Sequence, residues 1–125
     1  MAYLLDSHAL LWFLEGSASL SAGVKAIIEA DAVPIFVSPA SIYELRYKAA
    51  LKKLRPLPAE LRAVIEQAGF VELPITMIAA EAAAHLPQVL RDPWDRMLAA
   101  QAITSGYVLM SSDRNIEKLG VQTIW

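Results

Sequence analysis

Apolar positions fall into short runs separated by stretches with helical spacing. Tyr3 to Leu5 reads as a buried strand, and Ser7 to Glu15 as a helix stopped by Gly16. Residues 21–31 place Val24, Ile27 and Ile28 on one helical face. Ile35 to Val37 is a second strand. Ser38-Pro39 then supplies an N-cap and a first-turn proline for a helix expected to run to about Lys53. Pro56 and Pro58 interrupt the chain, and Pro58 is expected to start a helix with Leu61, Val64, Ile65 and Ala68 on one face, ended by Gly69. Phe70 to Leu73 reads as a third strand and Thr76 to His85 as an alanine-rich helix. Asp92-Pro93 repeats the cap-and-proline signal and opens a helix to Ser105, closed by Gly106. Val108 to Met110 is a fourth strand, and Gln122 to Ile124 a fifth at the edge. Strands alternating with helices predict a parallel sheet covered on both faces, an α/β sandwich.

Composition narrows this picture. The 125 residues suit one domain spanning 1–125. A hydrophobic share of 56% with only 19% charged residues excludes disorder, and the apolar excess points to surface covered by a partner. The four large apolar residues Leu10, Trp12, Phe13 and Leu14 cannot all face one core, so some are candidates to meet that partner. Without cysteine there is no disulfide, thiol nucleophile or thiolate metal site. The net charge of −2, from 11 basic and 13 acidic residues, announces no global field for nucleic acid, so any such partner must be held locally. The N-terminus lacks the basic and apolar regions of a signal peptide, and no apolar stretch is long enough to span a bilayer. A cytoplasmic protein is the expectation.

Sites in open parallel sheets form at the carboxyl ends of the strands. Asp6 follows the first predicted strand and Asp113 the fourth. Asp95 lies in the first turn of the helix opened by Pro93. Glu44 lies one to two turns into the helix opened by Pro39, from which its side chain leans back toward the rim. Four carboxylates on one rim repel one another unless a hard cation joins them, and Mg²⁺ or Mn²⁺ suits an all-oxygen cup better than zinc does. Such a cup holds phosphate and activates water for in-line attack. Ser7, Ser111 and Ser112 supply hydroxyls beside it. Each acid also has a plainer role: Asp6, Asp92 and Asp113 as helix caps, Asp95 as a first-turn acid, and Glu44 paired with Lys48 at i,i+4.

Taken together, Leu4-Leu5-Asp6-Ser7-His8-Ala9, Ser41-Ile42-Tyr43-Glu44-Leu45, Asp92-Pro93-Trp94-Asp95-Arg96 with the Ala100-Gln101-Ala102 tail, and Ser111-Ser112-Asp113 resemble the PIN domain, with the nearest likeness to VapC-type toxins. The resemblance spans nearly the whole chain and implies a PIN-like three-layer α/β/α sandwich with a central, mainly parallel sheet of four to five strands. It implies a Mg²⁺- or Mn²⁺-dependent endoribonuclease, countered by a VapB-type antitoxin and forming a homodimer. By position, Asp6, Glu44, Asp95 and Asp113 match the family's acidic quartet: Asp6, Asp95 and Asp113 as metal ligands, and Glu44 as an outer ligand or water-orienting base. Asp92 matches an additional acid of the subgroup, and Ser7 stands where many members carry Thr.

Five basic residues fall within 46–55: Arg46, Lys48, Lys52, Lys53 and Arg55. Glu44, Lys48, Lys52 and Arg55 are spaced to form one helical stripe leading phosphates to the acids, against the plainer reading of a solvated face. Arg91, Arg96 and Arg114 flank the rim, Arg96 as a further RNA contact or a partner of Asp92 or Asp95. His8 and His85 read as structural. A haloacid-dehalogenase-like phosphatase needs a second Asp where His8 stands, and a phosphoacceptor receiver needs paired acids after its first strand; neither pattern is present. A catalytically silent PIN-like RNA- or protein-binding module is the remaining alternative to the nuclease.

Overall fold

In a computed structural model describing residues 1–125, β1 (Tyr3–Leu5), β2 (Ile35–Val37), β3 (Val71–Glu72), β4 (Val108–Met110) and β5 (Thr123–Ile124) form one sheet. Its order is β3-β2-β1-β4-β5, and every pair is parallel. Tyr3 lies opposite Ile35 on one side and Val108 on the other. The helices are α1 (Ser7–Glu15), α2 (Ala22–Ala30), α3 (Pro39–Ala50), α4 (Leu61–Gln67), α5 (Met77–His85) and α6 (Pro93–Ser105), followed by a 3-10 helix, Arg114–Leu119.

Strand side chains alternate between faces, which divides the core in two. Tyr3, Leu5, Ile35, Val37 and Met110 enter one cluster with Leu10, Val24, Leu45, Ile65 and Phe70. Leu4 and Leu109 enter the other with Leu98, Ala99, Ala102, Ile116 and Leu119. The result is the expected three-layer α/β/α sandwich. The chain winds outward from β1 to β3, then returns past β1 to β4. Strand order therefore reverses between β1 and β4, and the carboxyl ends of these two strands flank the switch point.

Some boundaries differ from the sequence expectation, each for a local reason. Helix α3 stops at Ala50 rather than Lys53, because Lys52 adopts a left-handed φ of 58°. Lys52 N–H then donates to Ala49 O at 3.0 Å and Lys53 N–H to Lys48 O at 3.0 Å, a Schellman ending with lysine in the place glycine usually takes. Helix α4 begins at Leu61 rather than Pro58, and the preceding turn is held by the Arg46 guanidinium, which donates to Pro58 O at 2.7 Å and Ala59 O at 3.1 Å. Phe70 belongs to the exit of α4, its N–H donating to Ile65 O at 3.2 Å, which shortens β3. The 3-10 helix after β4 was not anticipated as a defined element.

Leu10 is buried, and Trp12, Phe13 and Leu14 pack at the edge of the first core, so this group is not the exposed apolar surface. That surface lies instead at Tyr43 and Tyr47 on α3, at Leu51 at its C-cap, and at Met77 and Ile78 on α5. No helix is long and apolar enough to cross a membrane.

Candidate active site

Asp6 leaves β1 and caps α1, Oδ1 accepting from Ala9 N–H at 2.7 Å. It is almost fully buried, and burial raises its pKa above the ordinary carboxylate value; the Ser111 hydroxyl, the Ala9 N–H and the charge of His8 pull the other way, while the charge of Glu44 adds to the rise. Ser111 is buried at the end of β4, and its Oγ accepts from Asp113 N–H at 3.1 Å.

Glu44 reaches the rim from α3 and is only 6% exposed. Ser7 Oγ donates to its Oε1 at 2.6 Å, and Lys48 Nζ donates to its Oε2 at 2.6 Å. Ser41, fully buried, pairs with Ser7 at 3.1 Å. The single hydrogen of Ser7 is committed to a carboxylate that only accepts, so the Ser41 hydroxyl donates between the two.

Asp95 lies in the first turn of α6, half-buried, with no hydrogen bond to its carboxyl from the chain. Burial, followed by the charges of Asp92, Glu44, Asp113 and Asp6, pushes its pKa up to about 7. Residues from four separate elements therefore bear on one carboxyl. Asp92 is the exposed N-cap of α6, Oδ1 accepting from Trp94 and Asp95 N–H at 2.8 and 3.1 Å. Asp113 is the exposed cap of the 3-10 helix, Oδ1 accepting from Asn115 N–H at 2.9 Å. Ser112 is exposed beside it. Each of these caps, Asp6 and Asp113, makes its backbone bond through Oδ1 alone.

An anchoring network missed from the sequence joins the two helices that carry Glu44 and Asp95. Ser38, the N-cap of α3, donates to Gln101 Oε1 on α6 at 2.5 Å, and Gln101 Nε2 donates to Leu73 O at 3.0 Å. Both side chains are buried. A glutamine within the alanine-rich face of α6 was the available signal.

The donor set fits a hard divalent cation: it is all carboxylate and hydroxyl, its acids crowd one another, and His8 is exposed and stacks on Trp12 at 5.6 Å. As the side chains stand, no three acids are gathered tightly enough to ligate one ion. Both oxygens of Glu44 and one oxygen each of Asp6 and Asp113 are already bonded.

The basic residues do not form the expected stripe. Lys48 pairs with Glu44, and Arg46 holds the turn before α4. Arg96 turns away from Asp92 and Asp95 and donates to the carbonyls of Ala83, Leu86, Pro87 and Leu90 at 2.8 to 2.9 Å, tying down the end of α5. Its two terminal nitrogens are spent there, so the expected RNA contact is set aside. Lys52, Lys53 and Arg55 are exposed beyond the end of α3, as are Arg91 and Arg114. A cleft of about 380 Å³ between α3 and α4, lined by Ile42, Tyr43, Ile65 and Phe70, contains none of the four acids.

A family model of the PIN domain matches residues 3–122. No curated protein matches the chain. Similar solved structures include DNA-bound VapBC from Salmonella typhimurium, at TM-score 0.73 and 18% identity over 99% of this chain and 97% of that one. VapBC2 from Rickettsia felis, bound to a promoter DNA fragment, is similar at TM-score 0.71 and 12% identity over 99% and 98%. A toxin-antitoxin complex from Klebsiella pneumoniae is similar at TM-score 0.70 and 18% identity over 98% and 96%. At these identities the structural likeness is one of fold. The family model itself runs from β1 to the residue before β5, and on that match the chain belongs to the PIN domain family.

Proposed function

We propose that this PIN-domain chain is a divalent-metal-dependent endoribonuclease, a hydrolase serving as the toxin of a toxin–antitoxin pair. The observation that carries the reading is the Asp95 carboxyl, raised to about 7 by burial and by four other acids, two of which follow the strands at the switch point. The similarity to VapBC and to another toxin-antitoxin complex supports a VapC-type toxin with a VapB-type antitoxin as partner. The exposed Tyr43, Tyr47, Leu51, Met77 and Ile78 are apolar surface for that antitoxin and for a second copy of the chain in a homodimer. RNA as substrate places the protein in the cytoplasm.

In this reading Asp6, Asp95 and Asp113 hold Mg²⁺ or Mn²⁺, with Asp92 as an additional acid beside them. The ion would supply charge neutralisation at the scissile phosphate and a more acidic water. Glu44, fixed by Ser7 and Lys48, orients the attacking water from outside the ligand set. Ser111 steadies Asp6, and Ser112 faces solvent where a phosphate oxygen would lie. Lys52, Lys53 and Arg55 contact the phosphates of single-stranded or looped RNA. In-line attack breaks the bond from phosphorus to the 3′ oxygen, giving 5′-phosphate and 3′-hydroxyl ends.

RNA cleavage with Mn²⁺ tests the proposal. The wild type should cut, while Asp6→Asn should lose about 10²–10³-fold or more and excess chelator should stop the reaction. Full activity in that variant or in chelator overturns the mechanism. RNA binding with no cleavage under any metal assigns the chain to the silent binding module instead.

A further inference from the structure

The chain has three ion pairs, and only one ends on a rim acid. Lys25–Glu29 and Arg62–Glu66 are exposed helical pairs of the kind that contribute little. Lys48–Glu44 differs. The Glu44 side chain is 7% exposed, that of Lys48 33%, and the contact is 2.6 Å. Lys48 sits one turn C-terminal to Glu44, and helical side chains lean toward the N-terminus, so its stem reaches back along α3 to the rim. Opposite it, Ser7 holds the second carboxylate oxygen and is itself buttressed by the buried Ser41.

We infer that Lys48 is a positioning residue: by holding Glu44 through Oε2 it keeps that carboxylate outside the inner ligand shell of the divalent cation, and its own charge limits how tightly the rim binds the ion. The inference rests on the metal-dependent reading above. It gives Lys48 a task different from gripping RNA. With both Glu44 oxygens engaged, the carboxylate can move toward an ion only by giving up a short charge-assisted bond. The ammonium also opposes the ion directly. A unit charge and a double charge a few ångströms apart in a wet site are worth about a factor of ten in affinity.

Lys48→Met keeps the length and helix preference of the side chain and removes its charge. Mn²⁺ binding, followed by the electron paramagnetic resonance of the free ion, should tighten about tenfold in this variant. RNA cleavage should need less metal to saturate and should run slower at saturation, because Glu44 is then held by Ser7 alone. Lys48→Arg keeps the charge and should bind Mn²⁺ like the wild type. The direction separates positioning from damage, since a disturbed fold loosens a metal site. Unchanged or weaker Mn²⁺ binding in Lys48→Met, with wild type and Lys48→Arg both binding, overturns the role of Lys48 alone. A wild type that takes up no Mn²⁺ overturns the proposed function and this inference with it.

Discussion

Helices α3 and α6 open with the same local grammar and deliver their acids into opposite circumstances. Each begins with a capping side chain followed by proline, Ser38-Pro39 in one and Asp92-Pro93 in the other. Glu44 arrives at the rim with both oxygens bonded, one to a hydroxyl and one to an ammonium. Asp95 arrives with no bond to its carboxyl and with its own cap, Asp92, as the acid whose charge raises its pKa most. The capping signal fixes where a helix starts and says nothing of what its first turns will meet. The α3 acid is settled by the chain; the α6 acid is left crowded, the arrangement a bound cation relieves.

The strongest way to break this comparison is to neutralise each acid in metal-free protein at pH 8 and measure stability by urea unfolding. Glu44→Gln strands the Lys48 ammonium and replaces a charged acceptor by an amide, which should cost about 1–2 kcal/mol. Asp95→Asn removes the focus of the repulsion and forfeits a small helix-dipole term, for a net gain of about 1 kcal/mol. The two variants should therefore move the midpoint in opposite directions while both impair cleavage. A destabilised Asp95→Asn would mean that the crowding at α6 carries no strain.

Titration sharpens the same contrast. The Asp95 carboxyl has a folded pKa of about 7 against an ordinary 3.8, so between those values the folded state binds more protons than the unfolded one. Its contribution is unfavourable above pH 7 and is relieved as the pH falls through 7 toward 4. Asp6, also raised, acts in the same direction. Measured as wild type minus Asp95→Asn, metal-free stability should rise by about 1 kcal/mol between pH 8 and 5.5, a figure discounted for the half-exposed position. Saturating Mn²⁺ should reverse the slope, because protons and metal compete for the same carboxyl. A flat difference across that range without metal would show that Asp95 titrates as an ordinary surface acid.

How far the sequence showed this in advance depended on whether the deciding partner was local. Strands β1, β2 and β4, and helices α1 and α6, lie where their caps, glycines and apolar runs put them. The end of α3 did not, because Lys52 takes a left-handed turn that no residue there advertises. The 3-10 helix escaped notice because it is only six residues long, with little but Ile116 and Leu119 as an apolar signal. The rim acids were legible through chain order and sheet topology. Their surroundings were not, since Ser7 meets Ser41 across 34 positions and Ser38 meets Gln101 across 63. Lys48 belonged to two readings at once, a stripe toward RNA and a pair with Glu44, and only the end of α3 separates it from Lys52 and Arg55.

A last expected effect bears on how much of the α3 arrangement is local. Ser41→Ala removes the buried hydroxyl behind Ser7 and leaves the direct bonds to Glu44 in place. One buried acceptor then lacks a donor, which should cost about 1 kcal/mol in the same urea assay, with Mn²⁺ affinity unchanged. Ser7→Ala removes a bond to the carboxylate itself and should cost more. If the two cost the same, Glu44 is held by a chain of hydroxyls running into the core. If Ser41→Ala costs nothing, Ser7 and Lys48 suffice, and the settled state of Glu44 belongs to the rim alone.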